Sequence, residues 1–253
     1  MDSKLSRRIV WTMAFCGSIA FVFGRSHPLA QASMPASQSP TILNLQLARI
    51  SIPSTTFLDA VFQIGRSTDQ CMGAVFLDRS TALTGVPSMN AENIKLGDLI
   101  AKILESVKGF AAREKEGCVV IAPVTNKPRY LKTNIPAFRT QRSPLELQSY
   151  YLFQALSATE PQPEHKRAWG TVASISSSTD SPQVGPINLK TQSVEAILCR
   201  LANEAGRTMW IALPKTEQTP GEWREPWRFV RYTEPDQVVR QQLRGVVESI
   251  PER

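Results

Sequence analysis

The sequence predicts an α+β fold: two tandem modules of the order β-α-β-β-α-β-β, followed by a C-terminal helix. Short apolar segments alternate with amphipathic helical patterns along the chain. The helical pattern at 95–110 (KLGDLIAKILESVKGF) is repeated in divergent form at 192–207 (QSVEAILCRLANEAGR). The 221 residues that follow residue 32 are enough for one large domain or for two small ones of about 100 residues each.

The first module is predicted over residues 44–123. A strand that ends at Pro53 precedes a helical pattern, and two extended segments then lead to a second helix, which begins at Leu96. Gly109 supplies the stop signal of that helix. A hairpin at 110–123 closes the module.

The same order is predicted again over residues 134–233. The segment SPLE at 143–146 has the form of a capping box with proline at the first helical position, so a helix is expected to start there. WGTVASI at 169–175 is a candidate strand, and a closing hairpin follows the second helix. Aligning Gly109 with Gly206 supports the repeat, because it matches three pairs of helical residues: Ile100 with Ile197, Leu104 with Leu201, and Asp98 with Glu195.

Further segments flank or join the modules. Residues 1–32 have the three parts of a secretory signal peptide: basic residues, an uncharged run from Ile9 to Phe23, and the small-x-small site Ala30-Gln31-Ala32. The run is shorter than the roughly 20 residues of a membrane-spanning helix, although a retained anchor stays open as the alternative. The remaining segments are a flexible leader at 33–43, a linker at 124–133 and an amphipathic helix at 234–253, which is expected to pack on the second module rather than on a partner.

The chain is therefore predicted to be exported to the periplasm, with association with the outer membrane left open. Without residues 1–32 it has 25 basic and 21 acidic residues, a net charge of +4. This excess is spread along the chain without a dense Lys/Arg run, so nucleic acid is not an expected partner. Contact with a membrane would be peripheral unless the signal is retained as an anchor.

Cys71, Cys118 and Cys199 remain after the predicted cleavage. Cys199 lies on the apolar stripe of its helix, and burial raises the pKa of a thiol and makes it inert, so packing is favoured over reactivity. Cys71 and Cys118 each begin a predicted strand of the first module. They could form a disulfide if those strands are neighbours, which the sequence leaves open.

No catalytic, metal or cofactor site is predicted. After residue 32 the sequence contains one histidine, His165, in a polar stretch, and nothing in the sequence places it beside a nucleophile. The cysteine spacing does not match a zinc site, and the common glycine-rich phosphate-binding motifs are absent from the sequence. Two pairs of carboxylates are interpreted as solvated turn residues: Glu114 with Glu116, and Glu222 with Glu225.

The candidate binding residues are Trp223, Arg224 and Trp227, in the segment GEWREPW. Tryptophan and arginine are frequent at the hot spots of protein interfaces. Trp223 has two interpretations, an exposed contact residue or a lid on its own hairpin. The edge strands of small sheets offer another surface, to which a partner could add a strand.

The first module resembles the short N-terminal domain of secretins and TonB-dependent transducers, called the STN domain. The resemblance covers residues 44–123, and the second module follows the same order with weaker likeness. It rests on ISIPSTTFLDAVFQIG, Phe76-Leu77-Asp78, the Leu83-Thr84-Gly85 turn, the helix at 95–108 and CVVIAP.

The resemblance implies a periplasmic module that contacts protein partners and is not an enzyme. No segment of this sequence has the pattern of a plug, barrel or secretin, so a pore or receptor role is not implied. We expect an exported, non-catalytic interaction or assembly component of the bacterial cell envelope, with an envelope protein as its partner. The alternative is a periplasmic protein that binds a small ligand or the cell wall in a pocket between the two modules.

Overall fold

The computed structural model describes residues 41–159, 181–214 and 225–250. These residues form a mixed α+β structure, as the sequence predicts. Its helices are α1 (Phe57–Thr68), α2 (Arg79–Ala82), α3 (Leu96–Leu104), α4 (Arg129–Lys132), α5 (Leu145–Thr159), α6 (Val194–Ala205) and α7 (Asp236–Glu248). Its strands are β1 (Gln46–Ile52), β2 (Thr55–Thr56), β3 (Cys71–Val75), β4 (Gly85–Val86), β5 (Met89–Lys95), β6 (Phe110–Lys115), β7 (Cys118–Pro123), β8 (Asn134–Ile135), β9 (Phe138–Thr140), β10 (Ser143–Pro144), β11 (Gln183–Val184), β12 (Ile187–Leu189), β13 (Gln192–Ser193), β14 (Thr208–Ala212) and β15 (Trp227–Arg231).

A five-stranded sheet lies at the centre of the fold, in the strand order β15-β14-β3-β7-β6. Strands β14, β3 and β7 are parallel to one another, and the outer strands β15 and β6 are antiparallel to their neighbours. Every residue of the three parallel strands is buried, because helices cover both faces of the sheet. The sequences CMGAV, CVVIAP and TMWIA suit this position, since they are continuous apolar runs rather than alternating ones.

The central sheet is shared by the two modules that the sequence predicts in tandem. Strands β3, β6 and β7 come from residues 44–123 and strands β14 and β15 from residues 134–233; the two groups join where β14 pairs with β3. Helices α1, α3 and α7 pack on the face that carries Met72, whereas α4, α5 and α6 pack on the face that carries Trp210. Each set of helices buries strands of both modules, so the two sequence repeats form one compact unit.

The predicted repeat is visible in the small ladders around the helices. Strand β1 pairs with β5 and β2 with β4 beside α1 and α3, and β9 pairs with β12 and β10 with β11 beside α5 and α6, all antiparallel. A glycine with positive φ follows the second helix of each repeat: Gly109 at 83° and Gly206 at 64°. Glycine has no Cβ and adopts this conformation without strain.

The predicted linker at 124–133 is part of the core rather than a simple connection. It contains α4, in which Tyr130 and Leu131 are buried. The Tyr130 hydroxyl lies 2.8 Å from both Leu213 O and Pro226 O, which are the residues that border β14 and β15. The segment therefore ties α4 to one end of the β14–β15 hairpin.

The predicted flexible leader at 33–43 is also structured where it is described. Residues Ile42–Asn44 form one turn of 3-10 helix, whose apolar side chains pack on the core beside α3. The Leu43 N–H donates a hydrogen bond to Glu114 Oε1 on β6. The leader prediction is wrong for Ile42 and Leu43, because Glu114 supplies a hydrogen-bond partner that lies far away in the sequence.

The C-terminal helix contacts β15 of the second module, as expected, and it also packs with the helices of the first module. Arg79 of α2 donates to the backbone carbonyls of Val247, Glu248 and Ile250 at the end of α7. A guanidinium at this position interacts favourably with the negative end of the helix dipole. The apolar face of the helix lies in the same core as α1 and α3 and comprises Val239, Leu243, Val246 and Ile250.

Helix α5 starts at Leu145, one residue after the proline predicted as its first helical position, and without the predicted capping box at 143–146. The Leu145 N–H donates to Pro182 O at 3.0 Å, beside the pairing of β10 with β11. Glu146 accepts a short hydrogen bond from Ser181 Oγ instead of reaching back to the helix start. A neighbouring segment thus accepts the hydrogen bond of a backbone N–H in the first turn, in place of a local cap.

Several segments and residues for which the sequence makes predictions lie outside the described ranges. These are the signal peptide 1–32, most of the leader, the candidate strand 169–175, His165, Glu222, Trp223 and Arg224. Within 41–159, 181–214 and 225–250, no helix is long and apolar enough to cross a membrane.

Candidate protein-interaction site

Trp227 is not available as a contact residue, which corrects its prediction. Its side chain is fully buried in the core beside Tyr130 and Phe153. The indole N–H donates to Ser149 Oγ at 2.8 Å, and the Ser149 hydroxyl donates to Glu225 Oε2 at 2.7 Å. Trp227 therefore fixes β15 to α5, and the predicted partners Trp223 and Arg224 lie outside the described residues.

Glu225 is a partly buried carboxylate, which corrects its interpretation as a solvated turn residue. Burial raises its pKa above the ordinary value, and the negative charge of Glu146 adds to this effect. The hydrogen bond from Ser149 and the charge of Arg228 act in the opposite direction but do not cancel it. At neutral pH the charged form of this side chain is therefore held at a cost in stability.

Replacement of Glu225 by glutamine is expected to raise the midpoint of thermal unfolding at pH 7 and to leave it nearly unchanged at pH 4. A raised carboxyl pKa means that the stabilisation from the bound proton is present below the ordinary pKa of about 4.3 and is lost as pH rises through the folded value. Calorimetry at both pH values tests this, with the exposed Glu248→Gln as control. An equal shift at the two pH values would contradict the proposed cause.

The cysteines divide into one disulfide and one buried thiol. Cys71 and Cys118 are directly opposite each other on β3 and β7, with their Cα atoms 4.6 Å apart, and form a disulfide. Cys199 is fully buried on α6, and burial raises its pKa to about 12. A thiol with that pKa is not a nucleophile at neutral pH, in agreement with the predicted packing role.

Three cationic side chains converge on Glu195, in the first turn of α6. Arg113 and Lys115 come from β6, and Lys127 comes from the segment after β7. Arg113 Nη2 lies 2.5 Å from Glu195 Oε1, Lys115 Nζ lies 3.2 Å from Oε2, and Lys127 Nζ forms a short contact with Oε1. Lys115 also donates to the hydroxyl of Ser193, the N-cap of α6, at 3.0 Å. We call Arg113, Lys115, Lys127 and Glu195 the basic cluster.

The basic cluster has more positive charge than its carboxylate can neutralise. Burial alone would raise the pKa of Glu195, but the hydrogen bond and charge of Lys127, with the charges of Arg113 and Lys115, outweigh it and hold the pKa below its ordinary value. Burial lowers the pKa of Lys127, and the two neighbouring cations lower it further against the attraction of Glu195. With all four groups ionised, the net charge of the cluster is +2.

The basic cluster lies beside an open sheet edge, the outer side of β6. The Val124 N–H donates to Gly109 O at 2.8 Å, so Gly109 directs its backbone groups towards the β7 side. Every second residue along β6 does the same, so the backbone groups of Arg113 and Lys115 point towards β7 and those of Ala112 point outwards. No strand of the described residues pairs with this edge.

The opposite edge of the sheet, at β15, is less open. The Tyr232 N–H donates to Arg207 O at 2.7 Å, so the backbone groups of Trp227 and Phe229 point away from β14. Arg228 Nη1 donates to the outward carbonyl of Trp227 at 2.8 Å. Side-chain protection of this kind blunts a sheet edge against strand addition.

The basic cluster is not predicted by the sequence patterns. In the sequence Glu195 stands out only as the counterpart of Asp98 in the repeat, and no motif gives a role to Arg113, Lys115 or Lys127. A usable signal is the segment REK at 113–115, which places charges on both faces of a strand next to apolar residues. Comparison of the chain with protein-family models, with curated proteins and with solved structures gives no match.

Proposed function

We propose that this chain is an exported, non-catalytic interaction component of the bacterial cell envelope, which binds a protein partner by strand addition at β6. The observation that carries the proposal is the outer edge of β6, with which no strand of the described residues pairs, whereas the opposite edge at β15 is protected by Arg228. An extended segment that pairs with such an edge gains main-chain hydrogen bonds along its length.

The environment of β6 favours this use of the edge. Ala111 and Arg113 are exposed and Phe110 is half-buried, so a docking strand would meet both apolar and charged side chains. The disulfide between β3 and β7 fixes the two strands that lie behind β6. A rigid template reduces the entropy lost when a partner strand becomes ordered on it.

Two further observations support an exported interaction role. Disulfides persist in oxidising compartments such as the periplasm, and one links Cys71 to Cys118. The resemblance of residues 44–123 to STN domains implies contact with envelope proteins. The alternative of a pocket between the modules has less support, because packed side chains such as Trp210 fill the place where β14 meets β3.

Photo-crosslinking in the native host tests the proposal. A benzoylphenylalanine placed at Ala111 on β6 is expected to capture an envelope protein, whereas the same probe at the exposed Ala48 on β1 is expected to capture much less of it. Ala112→Pro, combined with the probe, removes an outward N–H and is expected to lower the yield about tenfold or more.

Ala112→Thr serves as the matched variant, because it retains the backbone N–H and should crosslink as well as the parent protein. Thermal unfolding of both variants checks that the sheet is intact. Equal crosslinking by the proline and threonine variants, with both folded, would rule out strand addition at β6.

A further inference from the structure

We propose that the segment bound at β6 is acidic, and that its carboxylates are received by the basic cluster. The inference rests on the proposed function and adds the chemistry of the partner to it. Three observations carry it: the position of Arg113 and Lys115 on the edge strand, the net charge of the cluster, and the donors that Glu195 leaves unused.

The position of the two cations determines which partner residues they can reach. Arg113 and Lys115 are two residues apart on β6, so both side chains lie on the same face of the sheet. On the other flank, the same face carries Val120 and Cys118, their partners on β7. In an added strand, the residues opposite Arg113 and Lys115 would have Cβ atoms about 5 Å away, within reach of ion pairs.

The charge of the cluster selects for acidic side chains. Glu195 is one carboxylate among three cations, and its side chain is only 4% exposed, so it belongs to the interior. Arg113 is 47% exposed and Lys115 31% exposed, so both can be approached from solvent. A strand with carboxylates at two alternate positions would neutralise the excess of +2, whereas a basic strand would increase it.

The N–H donors of Arg113 that Glu195 leaves unused also favour an acidic partner. A guanidinium has five N–H donors, and Glu195 accepts from one nitrogen of Arg113. Lys127 is only 10% exposed in its side chain, and its pKa is lowered by burial and by the neighbouring cations. A carboxylate that docks beside Arg113 would relieve part of this repulsion, which links occupation of the edge to the protonation of Lys127.

The test uses capped seven-residue peptides of alternating sequence, Thr-Val-X-Val-X-Val-Thr, in which X is Glu, Gln or Lys. Binding to the full chain is measured by fluorescence anisotropy of a labelled peptide at about 20 mM and about 200 mM salt. The Glu peptide is expected to bind at least tenfold more tightly than the Gln peptide at low salt, and the difference should shrink at high salt because charges near the surface are screened. The Lys peptide should bind most weakly.

The variant Arg113→Gln should reduce the preference for Glu over Gln about tenfold, since Glu195 retains Lys115 and Lys127 and the fold is preserved. Arg244→Gln, on the exposed side of α7, is the control with the same change in charge and should leave the preference unchanged. Equal effects of the two substitutions would overturn the inference, because the preference for the Glu peptide would then come from long-range charge rather than from the basic cluster.

The remaining outcomes separate this inference from the proposed function. Equal binding of the Glu and Gln peptides overturns the acidic preference but leaves strand addition in place. Binding of none of the three peptides, alongside a positive crosslink at Ala111, overturns the acidic strand and retains the interaction role. Inorganic phosphate gives the last outcome. If phosphate occupied the cluster by itself and removed the extra affinity of the Glu peptide over the Gln peptide, the cluster would be a small-anion site, and the acidic strand would be overturned.

Discussion

Replacement of Glu195 by alanine is expected to lower the free energy of unfolding by about 3–5 kcal/mol, the range for removing one partner of a buried ion pair. Glu195 is almost fully buried and accepts from three cations, of which Lys127 is the most enclosed. Without the carboxylate, Arg113, Lys115 and Lys127 repel one another, and the Lys127 ammonium has lost its counter-charge. Urea unfolding followed by the fluorescence of the buried Trp210 and Trp227 measures the loss.

Glu204→Ala is the matched control for this substitution. Glu204 lies on the same helix and pairs with Arg200 at 2.6 Å, but both side chains are partly exposed. Exposed pairs at this spacing contribute about 0.3–0.5 kcal/mol, so the control should have nearly the parent stability. Similar losses for Glu195 and Glu204 would show that the basic cluster contributes no more than an ordinary surface pair.

A double variant identifies the source of the loss. If the cost comes from the uncompensated ammonium, Lys127→Met in the Glu195→Ala background should restore part of the stability, although Lys127→Met alone should not increase it to the same extent. The two residues would then show a coupling energy in the cycle. Additive effects would contradict a direct interaction.

The pH dependence provides a second check on Glu195. Its folded pKa is held below the ordinary value, so its contribution is present above the unfolded pKa of about 4.3 and is lost as pH falls through the folded value. The difference in the free energy of unfolding between the parent protein and Glu195→Gln should therefore be large at pH 6 and should decrease below about pH 4. A difference that grows on acidification would have the wrong sign.

Local patterns in the sequence account for the elements but not for their assembly. The spacing of Leu96, Leu99, Ile100 and Ile103 predicts α3, and the glycine after each second helix marks its end, because both signals involve neighbours in the chain. The pairing of β14 with β3 joins residues more than a hundred positions apart, and no local signal specifies it. The continuous apolar runs of these strands indicate burial on both faces, yet not which helices provide it.

In the candidate site too, the individual residues could be predicted from the sequence but their assembly could not. The charges of Arg113 and Lys115 on a predicted strand could be read from the sequence, as could the place of Glu195 in the first turn of a helix. Their association depends on how α6 packs against the sheet near β6, which follows from the shared core. Trp227 was misjudged for a related reason: its indole N–H finds Ser149 on a distant helix, so a side chain that looks suited to a partner is satisfied internally.

The disulfide between Cys71 and Cys118 is expected to contribute about 3–4 kcal/mol to the free energy of unfolding, and the variant in which both cysteines are alanine should lose at least that amount. The bridge joins residues 47 positions apart, and a loop of that size confines the unfolded chain considerably. The sulfurs lie in the buried core between the sheet and α6, so removal of their volume adds a smaller packing loss.

Cys199→Ala separates these two effects, because it removes a buried sulfur from the same core without breaking a bridge. This control should lose about 1 kcal/mol, a typical cost for removing a small buried group. Urea unfolding of the parent protein with and without reductant completes the comparison: the reduced parent should approach the stability of the double alanine variant. If the parent, reduced and alanine forms unfold at the same urea concentration, the bridge does not stabilise the fold, and the rigidity of the template behind β6 must come from packing alone.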